Sequence, residues 1–159
     1  MRTRFLLVAL LALLCMAPAK AADPLASLSY LVGTWNCTYN GGGQHLKYTA
    51  TYDYVMDNNW MRERDTWAAG GSDVGLTTYE SKTNTWTEIV AENERPTTIF
   101  RAKGSDAGRR AYQSVYPNAL LNLVFARVSD NEYTLHFHGT YGGTMMTSYD
   151  TCAKQSTGG

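Results

Sequence analysis

The chain has 159 residues, which is enough for one ordinary domain behind a short leader and too few for two domains. Its 14 Lys and Arg balance its 14 Asp and Glu, and this neutral charge argues against nucleic acid as a partner. Hydrophobic residues make up 44 % of the chain and charged residues 18 %, a balance that excludes a disordered tail. Its 11 Tyr, 4 Trp and 4 Phe favour strands over helices, because aromatic side chains suit a pleated, half-buried surface.

Residues 1–21 have the pattern of a secretory signal peptide. Two arginines precede an unbroken apolar run over residues 5–17, and alanines stand at positions 19 and 21, which a signal peptidase reads. The apolar run falls short of the ~20 residues that a transmembrane anchor needs. We therefore expect an exported protein, periplasmic or secreted, with no integral membrane segment after cleavage and a single domain over residues 22–159.

Cleavage of that leader would leave 11 basic and 14 acidic side chains and two cysteines, Cys37 and Cys152. Two cysteines in an oxidising compartment are expected to pair, and this pair would join the first predicted strand to the last. The alternative is two unrelated buried thiols. A lipoprotein is a minor alternative to export in soluble form, because Cys15 follows Leu14 where lipoprotein peptidases want a small residue.

Turn signals recur at nearly regular intervals and predict about ten strands. They stand at residues 41–43, 57–59, 70–73, 82–84, 93–96, 104–108, 117–118, 129–131 and 142–143. The stretches between them are rich in Thr, Tyr, Val and Trp, which is typical of an antiparallel up-and-down meander that closes as a barrel. Leucines at 25, 28 and 31 predict a short helical plug over residues 25–32, under one end of the sheet.

Alternation identifies an inner face in most of these strands. Tyr48, Ala50 and Tyr52 share one face of the second strand, and Tyr133 and Phe137 share one face of the ninth. The predicted core is Trp35, Tyr52, Leu76, Trp86, Phe100, Leu123, Phe125 and Phe137. The third strand, over residues 60–67, has two charged residues on each face, so either orientation turns two charges inward.

Three short segments carry a resemblance to a known group. They are LVGTW at residues 31–35, NNWMRERDTW at 58–67 and TTYESKTNTW at 77–86, where Glu80 replaces the usual Asp. Together they resemble the calycin barrels, and most of all the bacterial lipocalin-like DUF1579 family and the nitrobindin haem barrels. The resemblance implies a calycin β-barrel that binds a small ligand. In the haem-binding members the iron ligand is a histidine near the C-terminal end of the barrel, and residues 145–152 contain none, so we assign no haem ligand and predict no cofactor. A haem-binding barrel is kept as an alternative.

The charged third strand is the main candidate for a binding site. Inward Arg62 and Arg64 would hold the polar head of a small, partly apolar ligand, anionic or lipid-like, with Trp60, Tyr52 and Tyr54 as walls. Two arginines of later strands extend the set, Arg101 and Arg127. The alternative is a cross-strand network of ion pairs, or charges at a flared rim that water reaches.

Other classes of function stay open. His136 and His138 lie on one side of a strand at a spacing that suits a metal ion if a third ligand arrives, although two solvent-facing histidines are the favoured explanation. A barrel enzyme would draw on Glu63, Asp65, Glu88 and these histidines, but no spacing among them specifies a mechanism, so we predict that the protein is not an enzyme. A protease-inhibitor-like interaction module would instead bind through the glycine-rich loops. The sequence indicates neither the ligand nor the oligomeric state.

Overall fold

The computed structural model describes residues 23–93, 96–117, 120–141 and 143–156. The predicted signal peptide lies outside the described residues. Within them, no helix is long and apolar enough to cross a membrane. The elements are a short 3-10 helix (Ala26–Leu31) and ten strands: β1 (Gly33–Gly41), β2 (Gln44–Val55), β3 (Trp60–Trp67), β4 (Ser72–Glu80), β5 (Thr85–Glu92), β6 (Thr98–Lys103), β7 (Arg109–Tyr116), β8 (Leu120–Ser129), β9 (Glu132–Tyr141) and β10 (Thr144–Lys154).

The ten strands form one closed antiparallel barrel in which each strand pairs with its neighbours in sequence and β1 pairs with β10. Alternation determines which side chains point into it: in β2, Tyr48, Ala50 and Tyr52 are buried and the residues between them are not. The tight turns use residues that tolerate a left-handed backbone, such as Gly42 at a φ of 57° and Asn84 at 52°. The predicted fold class, a meander barrel of about ten strands, is confirmed.

The 3-10 helix covers one end of the barrel, which we call the closed end. Its buried Leu28 and Leu31 pack into the core. The indole Nε1 of Trp35 donates a hydrogen bond to the Leu31 carbonyl oxygen at 2.7 Å. Lys154 donates from Nζ to the Tyr30 carbonyl oxygen at 2.6 Å and lies 5.4 Å from the Trp35 ring centroid. The first strand, the last strand and the plug are thereby tied together.

The barrel closes along the seam between β1 and β10. Cys37 and Cys152 stand directly opposite each other in this pairing and form a disulfide across 115 positions of sequence. Both are buried, at 2 % and 0 % exposed. The predicted pairing of these two cysteines, and the closure that it required, are both found in the structure.

The predicted core is largely the observed one, with one error. Trp35, Trp86 and Phe100 are at most 1 % exposed, and Tyr52, Leu123 and Phe125 are also buried. Leu76 does not belong to the core. It stands opposite Arg62 on β3 and Ile89 on β5, and residues opposite each other in an antiparallel pair share a face, which here is the outer one.

Candidate functional site

A cavity of about 610 Å³ fills the barrel at the end opposite the closed end, which we call the mouth. It extends from the exposed loop between β3 and β4, at Gly70 and Gly71, down to Phe100 in the core. One side of it is a continuous hydrophobic surface from β6, β8 and β9. We call this the apolar wall: Phe100, Leu121, Leu123, Leu135 and Phe137.

The other side of the cavity is acidic. Six carboxyl side chains line it, from β3, β4, β5 and β10, and we call them the lumen carboxyls: Glu63, Asp65, Asp73, Glu88, Glu92 and Asp150. No lysine, arginine or histidine lines the cavity within the described parts of the chain. The lumen thus combines an apolar surface with a strong excess of acidic groups.

The orientation of β3 explains much of this acidity. Met61, on the same face as Glu63 and Asp65, is 1 % exposed in the core. At the other end of the strand Trp67 stacks on Tyr48 of β2, with ring centroids 4.5 Å apart. Because Met61 is buried in the core and Trp67 is partly buried against it, the two carboxyls between them must also face inward.

The opposite face of β3 carries the two arginines outside the barrel. Arg62 donates from Nη2 to Asp53 Oδ2 at 2.6 Å and from Nε to Oδ1 at 3.1 Å. Arg64 lies 3.5 Å from the same carboxylate, whose pKa is lowered, chiefly by the hydrogen bond from Arg62. The prediction that Arg62 and Arg64 point into the lumen is therefore wrong. The alternative that the sequence left open, a cross-strand ion-pair network, is the arrangement found.

The three predicted wall residues also lie away from the cavity. Trp60 shares the outer face of β3 with the arginines and is half-buried. Tyr54 donates its hydroxyl hydrogen to the Leu25 carbonyl oxygen at 2.9 Å, next to the plug. Tyr52 does point inward, but it lies below the cavity floor. None of the five predicted binding residues lines the cavity.

The wider arginine set is likewise outside. Arg101 is exposed on β6. Arg127 forms an ion pair with Asp130 and lies 4.2 Å from the Tyr30 ring centroid.

Glu63 lies at the floor of the cavity, above a pair of tyrosines that do not line it. The Tyr52 hydroxyl donates to Glu63 Oε1, and the Tyr52 and Tyr133 hydroxyls are 2.9 Å apart. Gly75 of β4 leaves room for this carboxyl, since a Cβ there would stand 3.2 Å from Glu63 Oε2. Burial, followed by the nearby charge of Glu88, raises the pKa of Glu63 to about 8.

The neighbouring carboxyls have raised pKa values for the same reason. Burial raises the pKa of Asp150 to about 6, although the hydrogen bond from Tyr48 acts in the other direction. Burial and then the charge of Glu63 raise the pKa of Asp65 well above its ordinary value. Burial also raises the pKa of Glu88, against the lowering effect of Arg110. The lumen therefore gains negative charge progressively as the pH rises.

A buried arginine lies beneath the floor. Arg110 of β7 is 3 % exposed, and its guanidinium lies 4.1 Å from the Phe125 ring centroid and 5.3 Å from that of Trp86. It donates from Nη1 to the Ala107 carbonyl oxygen at 3.2 Å. Arg110 does not line the cavity, but its charge acts to lower the pKa values of Glu88 and Glu63.

The two histidines of β9 lie on the outer surface. The His138 Nδ1 atom is 3.1 Å from Thr147 Oγ1, and the His136 ring is 6.4 Å from that of Tyr149. Among the described residues no group of three or more His, Cys, Asp or Glu side chains is arranged to hold a metal ion. The solvent-facing reading of these histidines is the one that the structure supports.

The sequence analysis missed part of the site. It named Glu63, Asp65 and Glu88 as ionisable groups but did not connect them with Asp73 and Asp150. A signal for Asp150 exists, because it alternates with Cys152 and shares its inward face. Nothing in the sequence signals Asp73, which directly follows a glycine-rich turn.

Comparisons with known proteins support the barrel fold and do not indicate the function of the cavity. No family model matches the chain, and no curated protein matches it. Among solved structures, an S-type phycobiliprotein lyase from Guillardia theta is similar, with a TM-score of 0.59 at 10 % identity over 87 % of this chain and 96 % of that one. This likeness concerns the barrel fold alone. The resemblance to DUF1579 and nitrobindin proteins and the absence of enzymatic activity both stay predictions.

Proposed function

We propose that this barrel is a binding protein that holds a small, partly apolar molecule in its lumen. The observation that carries the proposal is the cavity of about 610 Å³ with the apolar wall on one side and polar groups on the other. Small-molecule sites are mostly apolar clefts of roughly 300 to 1,000 Å³ with a few convergent polar groups. Antiparallel barrels of about this strand number also enclose ligand cavities instead of filling completely with side chains.

The anionic head group that the sequence suggested loses its basis, because Arg62 and Arg64 lie outside the barrel. The apolar part of the expectation keeps its support from Phe100 and Phe137. A ligand-binding role is also what the resemblance to lipocalin-like barrels implies.

The proposed setting of this function is an exported one, periplasmic or secreted. The signal-peptide pattern of residues 1–21 supports it. The disulfide between Cys37 and Cys152 supports it independently, since such bonds persist in oxidising compartments.

Two methionines of β10 provide a matched test. Met146 lines the cavity, whereas Met145 is 65 % exposed on the outer face of the same strand. The uncharged fluorophore N-phenyl-1-naphthylamine should brighten on entering the lumen. Met146→Trp should weaken its binding because the larger ring fills the mouth, and Met145→Trp should bind it as the unchanged protein does. If the fluorophore does not bind, or if both variants bind it equally, the lumen is not the binding site.

A further inference from the structure

The lumen carboxyls are arranged as opposed like charges. Asp65, Asp73 and Glu92 stand directly opposite one another on β3, β4 and β5, in a single row across the inner surface of the sheet. Like charges directly opposite each other destabilise a sheet. A row of this kind favours a proton or a cation beside it over an anion.

Asp150 gives a second and independent indication of a ligand. This residue of β10 is 6 % exposed, lines the cavity and accepts a hydrogen bond from Tyr48 at its Oδ2 atom. Its Oδ1 atom is buried and has no hydrogen-bond partner among the described residues. A buried carboxyl oxygen without a partner is costly, so the site lacks a hydrogen-bond donor.

We propose that the ligand is a small organic cation, a protonated amine on an aromatic or aliphatic body, with the ammonium among the lumen carboxyls and the body against the apolar wall. This inference rests on the proposed function and specifies the chemistry of its ligand. An ammonium group has three donors and no acceptor, which suits a cavity whose described lining residues offer many acceptors and no basic side chain. An apolar body of moderate size fits the remaining volume.

A metal ion fits the described residues less well than an organic cation. The carboxyls are spread over four strands on the side opposite the apolar wall, and no three of them within the described ranges form a metal-binding group. A ligand that combines a charged end with an apolar body uses both sides of the lumen.

The affinity for such a cation should depend on pH. Ionised carboxyls attract an ammonium and protonated ones do not, and the carboxyl at the cavity floor, Glu63, ionises at a pKa of about 8. The groups that act on Glu63 come from six strands: Tyr52, Asp65, Asp73, Glu88, Arg110 and Tyr133. Because three of these groups are carboxyls and only Arg110 is basic, we expect cation binding to tighten from pH 5 to pH 8.

Three probes of one shape separate charge from apolar contact. They are 3-phenylpropylamine, 3-phenylpropan-1-ol and 3-phenylpropanoate, measured by titration calorimetry with the purified protein at pH 8. The amine should bind more tightly than the alcohol by about tenfold or more, as expected for a desolvated charge pair. The carboxylate should bind most weakly, and only the amine should lose affinity between pH 8 and pH 5.

Isosteric variants identify the carboxyls that hold the cation. Asp65→Asn and Asp150→Asn should each weaken amine binding and leave the alcohol unchanged. Both should unfold at the same or a higher denaturant concentration than the original chain, since each removes a buried like charge, so a loss of binding is not a loss of fold. Asp57→Asn, in the exposed turn between β2 and β3, is the matched control and should change neither affinity.

Each outcome decides one proposal. If the alcohol or the carboxylate binds as tightly as the amine, the proposal of a cationic ligand is wrong, whereas the proposed binding of a small molecule in the lumen stands. If none of the three binds, the proposal of a cationic ligand is again wrong, and the fluorophore experiment with Met146→Trp tests the proposed function separately. If the amine binds but neither Asp65→Asn nor Asp150→Asn weakens it, the ammonium is not held by the lumen carboxyls.

Discussion

At the scale of single residues, Asp53 pairs with the two positive charges of β3 on the outside of the barrel. It stands directly opposite Arg62 on the outer surface and contacts Arg64 as well. The Arg62 and Asp53 side chains are 34 % and 36 % exposed, so water and salt reach this network. The arginines therefore have partners outside the barrel and do not need a ligand to satisfy them.

A double substitution tests this assignment. In Arg62→Met with Arg64→Met, the lumen keeps its lining, so we expect the affinity for 3-phenylpropylamine to stay close to that of the original chain. The matched control changes the inward carboxyls of the same strand, Glu63→Gln with Asp65→Asn, and should weaken the amine strongly. Calorimetry compares the two. If the arginine variant loses as much affinity as the control, the assignment of the two arginines to the outside of the barrel is wrong.

At the scale of elements, the seam between β1 and β10 converts an open meander into a closed barrel. Each edge strand of an open sheet exposes unpaired backbone groups, and closure pairs both edges with each other. The disulfide between Cys37 and Cys152 fixes this seam, while Lys154 ties its end to the plug. The seam unites residues from the two ends of the domain.

The disulfide should contribute substantially to stability. In the chain-entropy description, a cross-link that closes a loop of this length contributes roughly 4 to 5 kcal/mol, and a compact denatured state reduces that figure. Cys37→Ala with Cys152→Ala should lower the free energy of unfolding by up to this amount in urea titrations. A reducing agent should destabilise the original chain and leave the double variant unchanged. Equal stability of the two chains under oxidising conditions would contradict a stabilising bond.

At the scale of the whole molecule, several lumen carboxyls keep their protons to a higher pH in the folded protein than in the unfolded chain. The pKa of Glu63 is raised to about 8 and that of Asp150 to about 6, so between the ordinary pKa of each group and its raised one the folded protein binds more protons than the unfolded chain. Stability therefore falls as pH rises through this range, by at most about 1.4 kcal/mol per pH unit for each proton involved. The lowered pKa of Asp53 acts in the opposite sense, below pH 4.

The ligand-free protein should therefore be more stable at pH 5 than at pH 8. Urea titrations at intervals of half a pH unit measure the slope. Glu63→Gln keeps an oxygen acceptor for Tyr52 but cannot ionise, so its stability should depend less on pH. Glu80→Gln, on the exposed end of β4, should keep the original slope. A protein whose stability rises steadily from pH 5 to pH 8 would refute the raised pKa of Glu63.

Much of the fold follows from local patterns in the sequence. Regular turn residues set the number of strands, alternation in β2 and β9 set their inner faces, and leucines every third residue indicated the plug. The cysteine pair supplied the one long-range contact, and that contact implied closure. These features are predictable because each depends on neighbours in the chain or on a single pair of residues.

The sequence by itself thus determined a closed ten-stranded meander with a disulfide at its seam, whereas the tertiary structure alone decided what the lumen is made of. Alternation states which residues of β3 share a face, but both faces carry two charges, so it does not state which face is inside. The burial of Met61, the packing of Trp67 against the core and the position of Asp53 outside settled that choice. The lumen is acidic because strands distant in sequence bring Asp65, Asp73 and Asp150 to one cavity. No local sequence pattern predicts which residues of distant strands lie close together.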